Sequence, residues 1–232
     1  MTRNLLIGAK ICALASGLAL ATLIGGCSGS SSSGTVDIRT VDAVSNGNNA
    51  TIEINNGTVS GSQTFFSVSA YHYMQPSSAV VTFSFSDITT TFQSTGYTVA
   101  AGNSYTVYVV GDTNTSNPQS ADYPQAVFLN DDQTGTSSGK VLVRFIMAAP
   151  SIASATINVN GSAIASGLKI GAATSYATYT GSSPSVSVTS PSGSVLVPAA
   201  ALNLSGGHSY TLVLDEPTIG SGTYRFDAVL DH

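Results

Sequence analysis

A stretch of eight residues occurs twice in this chain, and this repetition constrains the fold more than any other feature. Residues 102–109 read GNSYTVYV and residues 207–214 read GHSYTLVL, so Tyr210 lies 105 residues after Tyr105. The same spacing, held without a gap, relates further identical residues: Arg39 and Arg144, Ala50-Thr51-Ile52 and Ala155-Thr156-Ile157, Asn55 and Asn160, Tyr71 and Tyr176, Ser77-Ser78 and Ser182-Ser183. A constant register over this length is typical of an internal duplication. It predicts two copies of one domain, each large enough to fold around its own core.

The first 26 residues have the pattern of a signal peptide. Arg3 and Lys10 precede an apolar run at 11–24, which is shorter than the stretch of about 20 residues that a membrane-spanning helix needs. A basic start, a short apolar core and small residues at the end are typical of a leader that is removed on export. We therefore assign 1–26 to a signal peptide and leave it out of the fold.

The leader ends in Leu23-Ile24-Gly25-Gly26-Cys27, which resembles the lipobox of bacterial lipoproteins. The resemblance implies that Cys27 becomes the mature N-terminus and carries diacylglycerol and an amide-linked acyl chain such as palmitate. Two or more acyl chains anchor a protein stably, whereas one chain is marginal. The alternative is an ordinary secreted protein with a free thiol. Cys12 lies in the leader, so Cys27 would be the one cysteine of the mature chain and no internal disulfide could form.

A flexible tether is predicted between the lipid and the first domain. Residues 27–34 read CSGSSSSG, and such Gly/Ser segments behave as flexible coils with an r.m.s. reach of roughly 15 Å for seven residues. In Gram-negative lipoproteins of this type, an aspartate after the lipidated cysteine retains the protein in the inner membrane. The resemblance therefore implies that Ser28 directs the chain to the outer membrane, where it is periplasmic or surface-exposed in the cell envelope.

The charge balance argues against nucleic acid as a partner. Removal of Arg3 and Lys10 with the leader takes the basic residues from 7 to 5 against 12 acidic residues, and the formal net charge from −5 to −7. Nucleic-acid-binding proteins carry basic patches, and docking on anionic lipid needs clustered lysine and arginine. The predicted partners are the lipid bilayer, through acylated Cys27, and envelope proteins or glycans.

The residues after the tether predict an all-β fold, because short apolar stretches alternate with turn residues and no window has a helical period. We predict two tandem Ig-like antiparallel β-sandwich domains, 35–132 and 140–232, joined by a linker at 133–139 and close together without a shared core. The predicted strands of the first copy are 36–38, 50–54, 65–74, 81–85, 91–92, 97–99, 105–110 and 126–129. Those of the second copy are 141–146, 155–159, 169–179, 186–188, 195–197, 210–214 and 224–230.

Two pairs of repeated residues are candidate structural residues. In Ig-like sandwiches a tyrosine near the start of one strand turns its hydroxyl back onto nearby backbone while its ring fills the core, and Tyr105 and Tyr210 fit this description. Arg39 and Arg144 occupy equivalent positions in a chain with few cations. We interpret each arginine as an ion pair or backbone clamp to the last strand, with Asp131 or Asp231, that closes the sandwich. Recognition of a carboxylate or sugar acid is the alternative, since a guanidinium suits either use.

The second copy resembles the domain-of-unknown-function 4397 family. The resemblance rests on KVLVRFIMAAP at 140–150, TINVNG at 156–161 and GHSYTL at 207–212, which match the family's V-R-F-x-H-A-S-P, V-x-V-x-G and G-x-x-Y-T-V segments. Met147 and Ala149 stand where the family has histidine and serine, and in the first copy Asp42-Ala43-Val44 also lacks the proline. The resemblance implies exported bacterial β-sandwiches in tandem copies and no known activity.

No catalytic or metal-binding pattern is recognisable, so we predict no catalytic residue, cofactor or metal. Nucleophilic catalysis needs a nucleophile, a base and an orienting group that converge, and none of the three histidines, His72, His208 and His232, recurs at its repeat partner. The chain has no G-x-S-x-G motif and no phosphate-binding loop. The acid pairs Asp131-Asp132 and Asp215-Glu216 lack the spacing of a calcium loop, and we interpret them as solvated, with a weak calcium site as the alternative.

These observations predict a non-enzymatic envelope module that serves adhesion, binding or structure. One alternative is a carbohydrate-binding accessory protein with a platform of exposed aromatic rings. The chain has no tryptophan, so the candidate ligand surface would be Tyr71, Tyr73, Tyr123 and Tyr179. The other alternative is a subunit of an extracellular fibre or envelope complex, in which unpaired edge strands make the contacts.

Overall fold

The computed structural model describes residues 34–131 and 134–231 as strands, turns and loops. No helix occurs among these residues, and so none that could cross a membrane. The described residues belong to one compact unit. The predicted signal peptide, Cys27 and most of the tether lie outside them, as do Asp132 and His232.

The first repeat forms two facing four-stranded sheets with a short extra pair of strands. Its strands are β1 (Val36–Asp42), β2 (Ala50–Ile54), β3 (Gly57–Gln63), β4 (His72–Met74), β5 (Ser78–Ala79), β6 (Val81–Phe85), β7 (Thr91–Gln93), β8 (Tyr97–Thr98), β9 (Ser104–Val110) and β10 (Gln125–Asn130). One sheet has the order β10-β9-β1-β4 and the other β3-β2-β6-β7, and β5 pairs with β8.

The second repeat has the same arrangement. Its strands are β11 (Lys140–Met147), β12 (Ala155–Val159), β13 (Ser162–Leu168), β14 (Ala177–Thr180), β15 (Ser185–Thr189), β16 (Val195–Ala201), β17 (Ser209–Asp215) and β18 (Arg225–Leu230). The sheet orders are β14-β11-β17-β18 and β13-β12-β15-β16. The predicted all-β fold of tandem sandwiches is therefore confirmed, and β10 and β11 flank the segment that we predicted as the linker.

We predicted antiparallel sheets, but β1 and β9 run parallel in the sheet β10-β9-β1-β4, and β11 and β17 run parallel in the sheet β14-β11-β17-β18. The other strand pairs of the described residues are antiparallel. Strands in parallel pairs are usually buried on both faces and read as continuous apolar runs. All seven residues of β9 and all seven of β17 are buried. Each of these strands must therefore have a covered face outside its own sandwich.

That second face is covered by the other repeat. Along β1 and β9, Ile38 and Val107 point into the first sandwich, while Val41 and Tyr108 point outward. The outward residues belong to the same apolar cluster as Ile146 of the second repeat. We expected two domains without a shared core. Instead, the core of the second repeat continues into the first repeat, because the outward faces of the central strands are themselves apolar.

Two further differences concern individual strands. Residues 65–74 and 169–179 were each predicted as one strand, but only their last residues are strand, within β4 and β14. Phe66 has a φ of 54° and donates its N–H to the carbonyl of Asp42 at 2.7 Å, which interrupts an extended conformation. Strands β3 and β13 were not predicted, because their residues are mostly small and exposed and show no regular alternation.

The turn that leads into β3 follows from local chemistry. Asn55 and Asn56 have φ values of 51° and 66°, which matches the primed two-residue turns that fit the twist of a hairpin. Asn160 and Gly161 repeat this conformation in the second copy, with φ values of 50° and 79°.

Candidate functional site

The two repeated arginines lie where the repeats meet. Arg39 on β1 and Arg144 on β11 alternate with residues that fill each sandwich, so both side chains point out of their own sandwich towards the other repeat. Their side chains are 9% and 5% exposed. Two guanidinium groups are thus almost fully desolvated, and each needs an anion and several hydrogen-bond acceptors to be stable there.

In the first repeat, Arg39 belongs to a chain of polar contacts. Its Nε donates to Thr106 Oγ1 at 2.8 Å, and the Thr106 hydroxyl donates to Asp131 Oδ2 at 2.7 Å. The Tyr71 hydroxyl donates to the same Oδ2 at 2.9 Å. The guanidinium lies over the Tyr71 ring, 4.7 Å from its centroid, which adds a favourable cation–π contact.

The second repeat reproduces these contacts. Arg144 Nε donates to Thr211 Oγ1 at 2.6 Å, and Thr211 donates to Asp231 Oδ2 at 2.6 Å. The Tyr176 hydroxyl donates to that Oδ2 at 2.7 Å, and the Arg144 guanidinium lies 4.5 Å from the centroid of the Tyr176 ring. We call these eight residues the junction cluster: Arg39, Tyr71, Thr106, Asp131, Arg144, Tyr176, Thr211 and Asp231.

The ion pairs of the junction cluster cross from one repeat to the other. Arg39 Nη2 lies 2.8 Å from Asp231 Oδ1, and Arg144 Nη2 lies 2.7 Å from Asp131 Oδ1. Each aspartate therefore accepts from its own repeat on Oδ2 and from the other repeat on Oδ1. We expected these arginines to close their own sandwich. The structure instead uses them to join one sandwich to the other.

Arg144 holds more partners than Arg39. Its Nη1 donates to the carbonyl oxygen of Asn130 at 2.6 Å, and its Nη2 also lies 3.9 Å from Asp231 Oδ2. The guanidinium of Arg144 therefore contacts the carboxylates of both repeats.

Burial sets the protonation of the junction cluster. Desolvation, with the nearby Asp131 carboxylate, raises the pKa of Asp231 to about 6, against the opposing effect of Arg144. Burial also raises the pKa of the Tyr71 hydroxyl, and so does the charge of Asp131. Tyr71 therefore stays protonated and serves as a donor. With two arginines and two aspartates the charges balance, which is the condition for burying them.

This arrangement suits a joint better than a ligand site. The four charged groups satisfy one another, and a carboxylate or sugar acid would have to displace an aspartate to reach either guanidinium. The threonine hydroxyls and aspartate carboxylates of the cluster are engaged with one another and with the arginines, so none is available as a nucleophile or base. Among residues 34–131 and 134–231, no three His, Cys, Asp or Glu side chains come together as a metal site.

Tyr105 and Tyr210 each turn the hydroxyl back onto upstream backbone. Tyr105 Oη accepts a hydrogen bond from the N–H of Ala100 at 3.2 Å, and Tyr210 Oη accepts one from Ser205 at 3.1 Å. Both rings are buried in the apolar clusters of their repeats. The geometry is that of a tyrosine corner.

The four tyrosines of the candidate ligand surface do not form a platform. Tyr71 lies under Arg39, Tyr123 packs against Phe92 with ring centroids 5.3 Å apart, and Tyr179 is half-buried against the core. Only Tyr73 of this set is largely exposed, at 74%. The sequence pattern could not separate these cases, because each tyrosine lies near a strand and burial depends on the partner sheet.

Three of the four acids that we interpreted as solvated, Asp131, Asp215 and Glu216, are buried, and Asp132 lies outside the described residues. Asp131 belongs to the junction cluster, and Asp215 lies 3.4 Å from Arg225 Nε. Burial and the neighbouring Asp227 raise the pKa of Asp215 to about 8. Glu216 Oε1 accepts the N–H of Gly220 at 2.7 Å, and its Oε2 accepts that of Ser151 at 3.3 Å. These carboxylates support loops and ion pairs.

Thr106 and Thr211, whose hydroxyls link arginine to aspartate, were not among the predicted site residues. Their signal was available, because they recur at the spacing of 105 residues beside the repeated tyrosines. Asp131 and Asp231 are only 100 residues apart, since the loop after β9 is longer than the loop after β17. This pair therefore does not share the spacing of 105 residues that relates the other repeated residues.

The chain matches a family model twice. The family is described as "Domain of unknown function (DUF4397)", and the matches cover residues 36–154 and 141–231. A comparison with curated proteins found no match.

Proposed function

We propose that this chain, which belongs to the DUF4397 family, is a non-enzymatic lipoprotein of the bacterial envelope that presents two joined β-sandwiches as a binding or structural module. The observation that carries this proposal is the crossed pair Arg39–Asp231 and Arg144–Asp131. Arg39 and Arg144, the arginines that recur in both repeats, join one repeat to the other. Such a joint is expected in a module that keeps a fixed shape.

The joint combines ionic and apolar contacts. Val41 and Tyr108 of the first repeat pack in one cluster with Ile146 and Val213 of the second, and all four are completely buried. Apolar burial supplies stability without direction, whereas buried ion pairs penalise any arrangement that leaves a charge unpaired. Together they favour a single relative placement of the repeats. The second repeat is then held at a fixed position relative to the first, which follows the proposed anchor.

The proposed anchor is lipid on Cys27. The lipobox-like sequence that ends in Cys27 and the Gly/Ser residues that follow it support this part of the proposal. Stable attachment by two or more acyl chains would keep the module at the membrane, and Ser28 favours the outer membrane.

Replacement of Cys27 by alanine is expected to abolish lipid attachment. In a Gram-negative host fed an alkyne analogue of palmitate, the wild-type chain should take up label and sediment with membranes. The Cys27→Ala chain should lose nearly all label, because its mature form has no other cysteine. Cys12→Ala is the matched control and should label normally. Equal labelling of the Cys27→Ala and wild-type chains would contradict a lipoprotein.

Of the four tyrosines proposed for the carbohydrate-binding alternative, one has an exposed ring. Tyr73 is exposed, but the other candidates are packed or bonded within the protein. A single ring gives a weaker platform than a set, so we place this alternative behind the module that joins or binds protein partners.

A subunit of an envelope complex is the second candidate function, and β16 favours it. This strand ends its sheet and carries Val195, which is 64% exposed. An apolar strand with unpaired backbone groups is a template for pairing with an extended strand of another protein.

A charge on this edge is expected to block such pairing. If β16 joins a partner strand, cross-linking in intact cells should recover a larger species from the wild-type chain and lose it with Val195→Lys. Ile164→Lys is a matched control, since Ile164 is 40% exposed on β13 at the opposite end of the same sheet. The idea fails if Val195→Lys leaves the cross-linked species unchanged.

A further inference from the structure

A pocket of ≈ 370 Å³ opens at one side of the first sandwich. It lies between β3 and β4, the strands that end the two facing sheets, and its walls include Ile38, Ile54, Val59 and Met74. Thr58 and Gln75 supply polar groups to the lining. No Asp, Glu, Lys or Arg lines it, so the pocket suits an uncharged ligand that is mainly apolar.

The register of β4 shows which side chains face the pocket. Met74 pairs with Val36 and His72 with Ile38, and both partners are core residues of the sandwich. Directly paired residues place their side chains on the same face of a sheet, so Met74 and His72 face inward. Tyr73 pairs with Asp37, so its side chain leaves the opposite face of β4, and Tyr73 still forms part of the pocket lining.

The second repeat carries a tyrosine at the position of Met74. Tyr179 pairs with Val141 on β11 as Met74 pairs with Val36 on β1. It is half-buried and packs against the core of the second repeat, and its hydroxyl is buried with no hydrogen-bond partner among the described residues. Burial raises the pKa of this phenol, which keeps it neutral. In the second repeat, a neutral phenol ring thus occupies the strand position that Met74 has in the first repeat.

We propose that the pocket of the first repeat binds a neutral aromatic ring with a phenol-like substituent, in the place that Tyr179 takes in the second repeat. This inference rests on the proposed function as a binding module and names its ligand chemistry. The volume is at the small end of ligand pockets, which run from about 300 to 1,000 Å³. Met74 offers a flexible thioether, which makes favourable contacts with aromatic rings. Thr58 and Gln75 offer polar groups that a hydroxyl on the ring can use.

The ring can come from a free small aromatic molecule or from a tyrosine side chain of an extended peptide. Strand β4 ends its sheet, so its outer edge can pair with a peptide backbone while one side chain enters the pocket. The ring chemistry is the same in both cases, and affinity distinguishes them.

The test uses the full-length protein in detergent, labelled with ¹³C on its methionine methyl groups. The chain has Met1 in the leader, Met74 in the pocket wall and Met147 completely buried in the core. Titration with p-cresol should shift the Met74 methyl resonance in a saturable way and leave that of Met147 in place. Cyclohexanol, of similar size and without an aromatic ring, should bind more weakly.

Exchange of the two repeat partners gives the decisive variants. Met74→Tyr should fill the pocket and abolish p-cresol binding measured by calorimetry. Tyr179→Met should open a second site, doubling the number of rings bound and adding a methyl resonance that also shifts. Ile164→Ala should bind as the wild type does, because Ile164 is an exposed residue of the second repeat and does not line the pocket. A strand-forming peptide with a central tyrosine that binds more tightly than p-cresol would identify a peptide as the source of the ring, and equal or weaker binding would identify a free molecule.

The proposal is overturned if neither p-cresol nor the peptide shifts Met74, if cyclohexanol binds as well as p-cresol, or if Met74→Tyr retains binding in a folded protein. Acyl labelling at Cys27 is measured separately. A chain that is labelled but binds no ring would refute the pocket and leave the anchored module standing.

Discussion

Replacing Arg144 with alanine is expected to lower the free energy of unfolding by about 3 to 5 kcal/mol, the usual cost of removing one partner of a buried ion pair. The variant leaves Asp131 without its ion-pair partner and the carbonyl of Asn130 without this donor. It also removes the positive charge that offsets the repulsion between the carboxylates of Asp131 and Asp231. Urea unfolding followed by circular dichroism measures the change.

Two comparisons separate this effect from a general loss of surface charge. Lys140 lies on the same strand as Arg144 at an exposed position. The Lys140→Ala variant should therefore have the stability of the wild type. Arg39→Ala should cost less than Arg144→Ala, because Asp231 keeps Arg144 at 3.9 Å. If Arg144→Ala unfolds with the wild-type midpoint, the ion pairs do not hold the repeats together.

Stability is expected to fall as the pH rises from about 4 to about 7, through the titration of Asp42. This residue is completely buried, and burial raises its pKa from 3.8 to about 7, partly opposed by the N–H of Val44 that donates to Oδ1 at 3.0 Å. Oδ2 has no hydrogen-bond partner among the described residues. The folded state therefore binds a proton more tightly than the unfolded state does. The resulting stabilisation is complete below pH 4 and is lost as the carboxyl ionises.

Asp42→Asn should remove this part of the pH dependence, because the amide does not titrate. A raised pKa of this size corresponds to at most about 4 kcal/mol between pH 4 and pH 8. The wild-type chain should lose more stability over that range than the variant, by up to this amount. Asp215 and Asp231 have raised pKa values as well, so Asp42→Asn should still lose stability over this range, but less than the wild type loses. Asp87→Asn, at an exposed carboxyl, is the control. Parallel pH profiles of Asp42→Asn and the wild type would show that Asp42 is not the titrating group.

Much of the fold could be predicted because its signals are local. The alternation in 50–54 and the turn at Asn55-Asn56 depend on neighbours in sequence, and the repeat at 105 residues is visible by comparing the sequence with itself. The strands β3 and β13 could not be predicted, because they are held by pairing with β2 and β12 and their own side chains are mostly exposed.

The junction cluster was only partly predictable. Two arginines at equivalent positions indicated a structural pair with Asp131 or Asp231. The crossing of the pairs depends on how the sandwiches face one another, and no local pattern carries that information. The pocket is a similar case, since the change from Met74 to Tyr179 between repeats is visible in the sequence but the open space beside β4 is not.

The crossed pairs also have a consequence for ancestry. Because Arg39 meets Asp231 while Arg144 meets Asp131, the contact has the reciprocal form of an isologous dimer interface. A lone copy of the repeat would bring one arginine and one aspartate to this surface, and these two would pair with their counterparts across a two-fold axis. Gene fusion would then have converted a symmetric homodimer into one polypeptide, and freed the two halves to diverge at Met74 and Tyr179.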